Sequence, residues 1–166
     1  MSRSDPVPEI PFQLEVNDRA LASWTCSPDG LDALAVGWLF VEGYLEPGDA
    51  PPSVEVVDCG VGAAGGAGAR IARVQLPDTL LRRGDEARRR RAEAGTGPLH
   101  FAVDAPKSIQ RGEAVDAPPT PDEAAELFRR LYAEAERYRS GGGHHSAALF
   151  EGEELRAHAE EVGRHN

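Results

Sequence analysis

One stretch of the sequence, Leu31–Val41, constrains the fold most strongly because it is apolar almost all round. A helix without a polar face needs neighbours on every side, so this stretch predicts a buried central helix. Ser27, Pro28 and Asp29 precede it and predict the helix start. Ser27 is expected to cap the helix, Pro28 to occupy the first position and Asp29 to complement the helix dipole.

Alternating apolar residues on either side of this helix predict a sheet. Phe12, Leu14 and Val16 alternate with polar residues, as in a half-buried strand, and Asn17-Asp18 suits a tight turn into a partner strand at residues 21–25. SVEVVD (53–58) and RIARVQL (70–76) predict two more strands, joined by the glycine-rich GVGAAGGAGA. The sequence therefore predicts an α/β fold with a mixed or mostly antiparallel sheet.

Residues 78–94 carry helix signals interrupted by Gly84, together with a local excess of arginine. Guanidinium groups match phosphates and carboxylates in a bidentate fashion, so this segment could hold a phosphate or an acidic partner. A solvated helix face, partly offset by neighbouring acidic residues, is the simpler interpretation. The arginines are Arg82, Arg83, Arg88, Arg89, Arg90 and Arg91.

Thr120-Pro121-Asp122-Glu123 has the pattern of a capping box with proline at the first helical position. Apolar residues then recur at helical spacing, which predicts a helix over 121–139 that packs one face on the sheet. A strand at 146–150, a tight turn at 151–154 and a return strand from Leu155 are expected to follow. This arrangement would bring His145 and residues 163–166 to one end of the sheet.

Composition narrows the class of protein. The 166 residues, 40% of them apolar, suit one soluble globular domain, predicted over 12–166 after a flexible lead-in at 1–11. A net charge of −10 argues against nucleic acid and anionic membranes as partners. With neither a secretory signal nor a membrane-spanning run, the chain is expected to be cytoplasmic. Its two cysteines, Cys26 and Cys59, are expected to be reduced.

Four of the five histidines lie in the last 26 residues, which begin with three glycines. Glycine lets backbone N–H groups point at an anion, so an anionic ligand is one interpretation. The alternative is that the glycines end the preceding helix and the histidines are solvated. Histidine is a zinc ligand, so a zinc site stays open on ligand type, but the spacing of the histidines matches no catalytic zinc pattern and no metal ion is predicted. The histidines concerned are His144, His145, His158 and His165.

Two separated motifs resemble those of a known family. GGGHHSAALF followed by EEVGRHN is similar to the signature "GGTHAAALF... EDVGRHNA" of the formate dehydrogenase accessory protein family (FdhD/NarQ), and residues 14–45 resemble its "VNG... LMCTPGDLEDLALGFLFSEGII". The resemblance implies a core of the cytidine-deaminase type and a maturation factor for molybdenum-dependent formate dehydrogenase. It also implies formate dehydrogenase and a cysteine desulfurase as partners, a homodimer being a further option, and a domain incomplete at its C-terminus.

The same resemblance implies a pocket for the guanine nucleotide of the molybdenum cofactor, a guanine dinucleotide. Arg164 would meet phosphate there, and the glycine N–H groups would add donors. The cofactor-binding residues implied are Gly142, Gly143, His145, Ser146, Gly163, Arg164, His165 and Asn166.

The sequence departs from the family in the middle. Where the family has "RRRALAGRTGCGVCG", this chain reads RRRRAEAGTGPLHFAVDAPKSI and has no cysteine between Gly97 and Ser108. Because sulfur relay needs a thiolate, the chain is predicted to lack its own persulfide carrier. One alternative is an active sulfurtransferase using Cys26, whose thiol pKa would be lowered beside the helix start if it were exposed. Another is a degenerate, non-catalytic paralogue that acts as a structural partner.

A deaminase is not expected from the sequence, although the resemblance implies a core of that kind. His158-Ala159-Glu160 fits the H-x-E half of the zinc deaminase signature. The P-C-x-x-C half does not follow it.

Overall fold

The computed structural model describes residues 8–60, 68–93 and 119–163. It divides into two compact units. The sheet unit comprises residues 11–24 and 29–112, and the hairpin unit comprises residues 1–10, 25–28 and 113–166. Three predicted segments lie wholly or partly outside the described residues: the middle of the glycine-rich link (61–67 of 60–69), most of the lead-in, and the segment that lacks the cysteine pair.

The four-stranded sheet has the strand order β2-β1-β4-β3. β1 pairs in parallel with β4, and β4 pairs antiparallel with β3, so the predicted mixed sheet and α/β class are confirmed. The strands are β1 (Ile10–Val16), β2 (Arg19–Cys26), β3 (Val54–Asp58) and β4 (Arg70–Val74). Asn17 and Asp18 both adopt positive φ, 49° and 61°, as a tight turn between β1 and β2 requires.

Asn17 also extends the pairing of β1 with β4. Its side-chain amide donates to the Leu76 carbonyl at 2.9 Å, and its side-chain oxygen accepts the Leu76 N–H at 2.8 Å. The side chain thus bonds like one more strand residue, which satisfies backbone groups that would otherwise be orphaned beyond the strand ends.

Helix α1 (Leu31–Val41) packs against β3 and β4, as the apolar stretch predicts. Its burial is one-sided, however: Leu31, Ala35 and Leu39 are buried, whereas Phe40 and Val41 are about half exposed. The expectation of a helix buried all round was therefore wrong for the described structure. A row of aromatic contacts, Phe12 to Trp24 to Trp38 to Tyr44, connects the sheet, this helix and the loop after it.

The predicted start of α1 at Ser27 was also wrong. The helix begins at Leu31 after Gly30, whose φ of 61° is left-handed and which makes no side-chain cap. Ser27 is fully buried, and its hydroxyl accepts the N–H of Val162 instead. The Ser27 hydroxyl therefore bonds Val162, which is distant in sequence, and does not cap the helix next to it.

Helix α2 (Asp78–Glu93) runs through Gly84 without the predicted interruption. A Cβ at Gly84 would lie 2.1 Å from Cδ1 of Tyr44, so the glycine makes room for that ring. The Tyr44 hydroxyl donates to the next residue, Asp85, at 2.8 Å.

The hairpin unit contains α3 (Pro121–Glu134), α4 (Glu136–Gly141), β5 (His145–Glu151) and β6 (Glu154–Glu161). The predicted capping box is confirmed, with Thr120 and Glu123 bonding reciprocally. The predicted single helix over 121–139 was wrong, because Ala135 leaves the helical region at ψ 68° and a new helix follows. α3 packs against β5, yet Phe128 and Tyr132 stay more than half exposed, so the expected burial of its apolar face is not met.

Candidate functional site

The β5–β6 hairpin brings the two ends of the predicted cofactor cluster together. His145 pairs with Glu161 in the antiparallel register, and Gly163 follows two residues later. His145 and Gly163 therefore lie at the same end of the hairpin, as the turn at Gly152 predicts. Arg164, His165 and Asn166 lie outside the described residues.

A cleft of about 220 Å³ lies between α3, α4 and the start of β5. The rings of Tyr132 and Tyr138 meet edge to face, with centroids 5.7 Å apart. Two of the predicted site residues, His145 and Ser146, contribute to the lining. The full lining is Phe128, Leu131, Tyr132, Ala135, Tyr138, His144, His145 and Ser146.

His144 is the most unusual residue of this cleft. Its side chain is only 7% exposed, and neither ring nitrogen has a hydrogen-bond partner among the residues that the structure describes. A buried polar group without a partner costs about 1–3 kcal/mol. A neutral imidazole offers one donor and one acceptor, so His144 is equipped to bond a polar group that enters the cleft.

Gly142 and Gly143 turn the chain from α4 into β5. Their φ values are 66° and 79°, a region that favours glycine, and the Gly142 N–H donates to the Tyr138 carbonyl at 3.0 Å. The glycines thus end a helix, as one of the two interpretations of the sequence holds. Binding of an anion by these two residues stays a prediction.

Glu160 of β6 ties together two walls of the cleft. Its carboxylate accepts the backbone N–H groups of Arg137 and Tyr138 at 3.0 and 2.9 Å, and the Ser146 hydroxyl at 3.2 Å. Burial raises the pKa of Glu160, but these hydrogen bonds and the nearby His158 outweigh it, so the pKa lies below its usual range. Glu160 is therefore an ionised acceptor at neutral pH.

The surroundings of Cys26 disfavour the reactive thiolate. It is fully buried, and burial together with the Glu161 carboxylate raises its thiol pKa to about 12. A lowered pKa was expected only if Cys26 were exposed, and Cys26 is not exposed. Cys59, by contrast, is exposed at the end of β3.

The described arginines of α2 mostly make contacts within the sheet unit. Arg83 bonds the Tyr44 carbonyl and forms ion pairs with Glu46 and Asp49. Arg88 lies over the Trp38 ring at 5.4 Å. These contacts argue against a phosphate site at Arg83 and Arg88, and they show that these two arginines are not simply part of a solvated helix face.

Sequence reasoning missed the aromatic wall of the cleft. The wall consists of Phe128, Tyr132 and Tyr138. Apolar residues recur at helical spacing in this part of the sequence, and that pattern looks the same whether the helix face lies against a core or against an open cleft. From the sequence, His144 was expected to be solvated or a potential zinc ligand, and the first expectation was wrong because the residue is buried. Its position beside the glycine turn was the available signal, but burial without a partner is visible only in the structure.

Comparison with known proteins identifies the class. The sequence model of the FdhD/NarQ family matches residues 7–166. The chain therefore belongs to the FdhD/NarQ family, and the resemblance noted in its motifs is confirmed.

Individual relatives agree with this assignment. The chain is 29% identical over 163 residues to the sulfur carrier protein FdhD of Staphylococcus aureus strain MRSA252 and 26% identical to that of Staphylococcus haemolyticus strain JCSC1435. These alignments cover 96% of this chain but 57% and 58% of the relatives, so the chain spans little more than half of their length.

A crystal structure described as a formate dehydrogenase accessory protein from Desulfotalea psychrophila shares the fold. The TM-score is 0.51 at 18% identity, over 95% of this chain and 53% of that chain. The cytidine-deaminase-type core stays a prediction. Among the described residues, no helix is long and apolar enough to span a membrane, and the cytoplasmic location also stays a prediction.

Proposed function

We propose that this chain is a maturation factor for molybdenum-dependent formate dehydrogenase that binds the guanine-nucleotide end of the molybdenum cofactor. Family membership supports the accessory role, since relatives are named sulfur carrier proteins and a structural neighbour is named a formate dehydrogenase accessory protein. The observation that carries the binding role is the cleft with its buried, unpartnered His144.

The chemistry of the cleft suits a planar heterocycle. Tyr132 and Tyr138 offer ring faces and edges for stacking. His144, His145 and Ser146 supply polar groups that fix orientation beside the aromatic and apolar lining. His145 and Gly163 lie at the same end of the hairpin, and Arg164, the next residue in the sequence, is proposed to bind the phosphates.

The proposal assigns the persulfide step to another protein. The sequence has two cysteines, and the segment in which the family carries its cysteine pair has none. The burial and raised pKa of Cys26 argue against the alternative of an active sulfurtransferase, because the thiolate is the attacking species. A cysteine desulfurase and formate dehydrogenase remain the proposed partners.

The accessory role is tested in a host that makes a molybdenum formate dehydrogenase but lacks its own FdhD-type protein. The wild-type chain is expected to raise formate dehydrogenase activity, and His144→Ala is expected to lose most of that increase. Leu149→Ala serves as the control, since Leu149 is 63% exposed on the same strand as His145 and does not line the cleft. No increase with well-expressed wild-type chain would refute the role.

A further inference from the structure

We propose that Glu160 is the positioning residue of the cleft: its carboxylate holds Tyr138 and Ser146 in place for a ligand that it does not itself touch. The inference rests on the proposed binding function. Glu160 is not among the residues that line the cleft, but it bonds groups on both of its walls.

The first wall depends on Glu160 because α4 is short. A helix of six residues has no stability of its own in water, and its first-turn N–H groups have no partner within the helix. Glu160 accepts two of them, from Arg137 at 3.0 Å and from Tyr138 at 2.9 Å. The break at Ala135 and the restart of the helix therefore coincide with the place where a carboxylate of β6 is available.

Tyr138 is fixed as a result. Its backbone N–H is bonded to Glu160, and its ring meets Tyr132 of α3. Because Tyr138 is 45% exposed, packing alone does not set its position. The carboxylate of Glu160 thus sets the distance between α4 and the hairpin, and with it the width of the cleft.

The second wall depends on Glu160 through Ser146. A carboxylate only accepts hydrogen bonds, so the Ser146 hydroxyl donates to Glu160. Its oxygen lone pairs are then left as acceptors. The cleft should consequently favour a ligand that presents N–H or O–H donors at Ser146, as an amino-substituted heterocycle does.

The hydrogen-bond donors of Glu160 keep it in this role. Burial raises the pKa of the carboxylate, but the backbone N–H groups of Tyr138 and Arg137, the Ser146 hydroxyl and His158 lower it below its usual value. The carboxylate is already occupied by three donors, which leaves it satisfied in the described structure. It therefore acts through Tyr138 and Ser146.

The test compares Glu160→Ala and Glu160→Gln with the control Glu154→Ala, a residue of the same strand that bonds Arg156. Two quantities are measured: hydrogen exchange of the Arg137 and Tyr138 amides by NMR, and affinity for GDP by calorimetry. Glu160→Ala is expected to speed both exchange rates and to weaken GDP binding, each by about tenfold. Glu160→Gln, which keeps one acceptor oxygen, should recover part of both effects.

The outcomes separate two failures. If the wild-type chain binds GDP and Glu160→Ala binds it equally well, the positioning role is overturned whatever the exchange rates. Unchanged exchange in Glu160→Ala overturns it too. If the folded wild-type chain does not bind GDP, the proposed function fails first, and the assignment of Glu160 to a ligand site fails with it. A weakening by Glu154→Ala equal to that of Glu160→Ala would show a general structural effect and would also overturn it.

Discussion

The backbone N–H of Ser27 donates a 2.7 Å hydrogen bond to the carboxylate of Glu161, 134 residues further along the chain. The Ser27 hydroxyl completes the link by accepting the N–H of Val162 at 3.2 Å. Glu161 also accepts the N–H groups of Val162 and Gly163. The carboxylate of Glu161 thus holds two parts of the chain: Ser27, next to Cys26, and Gly163, where the predicted phosphate-binding segment begins.

This arrangement predicts that the two cysteines react very differently. Cys59 is exposed, whereas Cys26 is buried beside a negative charge, with its pKa raised to about 12. In the native protein, iodoacetamide at neutral pH should modify Cys59 and leave Cys26 unmodified, and mass spectrometry of peptides would show it. Urea should expose both. Incubation with a cysteine desulfurase is expected to leave no persulfide on Cys26; a persulfide there, lost in Cys26→Ser, would restore the sulfurtransferase alternative.

Gly84→Ala is predicted to destabilise the sheet unit. Its Cβ would lie 2.1 Å from Cδ1 of the fully buried Tyr44, and overpacking of this kind costs about 1–3 kcal/mol. Gly37→Ala is the matched control, because Gly37 lies in α1 and its Cβ would meet nothing within 4 Å. There the substitution should stabilise by about 0.5–1 kcal/mol. Urea unfolding measures both, and equal effects would contradict the packing role of Gly84.

Thr120 should contribute measurably to the stability of α3. Its hydroxyl accepts the Glu123 N–H, and the Glu123 carboxylate accepts the Thr120 N–H in return. Thr120→Ala is expected to cost about 0.5–2 kcal/mol, while Thr120→Asp, which can still cap, should cost much less. Helix content and the unfolding midpoint by circular dichroism check this. Equal losses in the two variants would show that capping is not the cause.

The ion pair and hydrogen bond of Asp85 predict a pH-dependent stability. Burial raises the pKa of Asp85, but hydrogen bonds from Tyr44 and Arg19 and the guanidinium charges outweigh it, so the folded pKa lies below its usual value. A carboxyl with a lowered pKa stabilises the fold above its unfolded pKa, about 3.9, and loses that contribution as the pH falls through the folded value.

Asp85→Asn isolates this contribution. The difference in unfolding free energy between wild type and Asp85→Asn should be largest at neutral pH and should shrink below about pH 4. Urea titrations at pH 7, 5 and 3 provide the measurement. A difference that stays constant over this range would show that the charge of Asp85 contributes nothing.

Most strands and helices were predicted correctly from the sequence, whereas the burial and the distant hydrogen-bond partners of their residues were predicted less well. The strands, the turn at Asn17-Asp18 and the Thr120 capping box depend on neighbours within a few residues, and the structure has them all. The cap expected at Ser27 failed because Glu161 and Val162, far along the chain, took its polar groups. Local pattern cannot show such competition.

The candidate site was predicted only in part for the same reason. Adjacent motif residues such as His145 and Ser146 lie where the hairpin pattern placed them. The break at Ala135 and the aromatic wall were not predictable, because the apolar spacing continues through the break. At the start of α4, the carboxylate of Glu160 accepts two backbone N–H groups, and Glu160 belongs to a strand that comes later in the sequence.

The most direct test of the account is calorimetric titration of the folded chain with GDP, repeated on His144→Ala, His145→Ala and Arg164→Ala, with Leu149→Ala as the control. We expect the wild-type chain to bind GDP with micromolar affinity, a binding free energy of about 8 kcal/mol. The affinity should fall about tenfold or more in the three variants and stay unchanged in the control. No binding by folded wild-type protein, or binding that is unaffected by His144→Ala, would contradict the assignment of the cleft as the cofactor site.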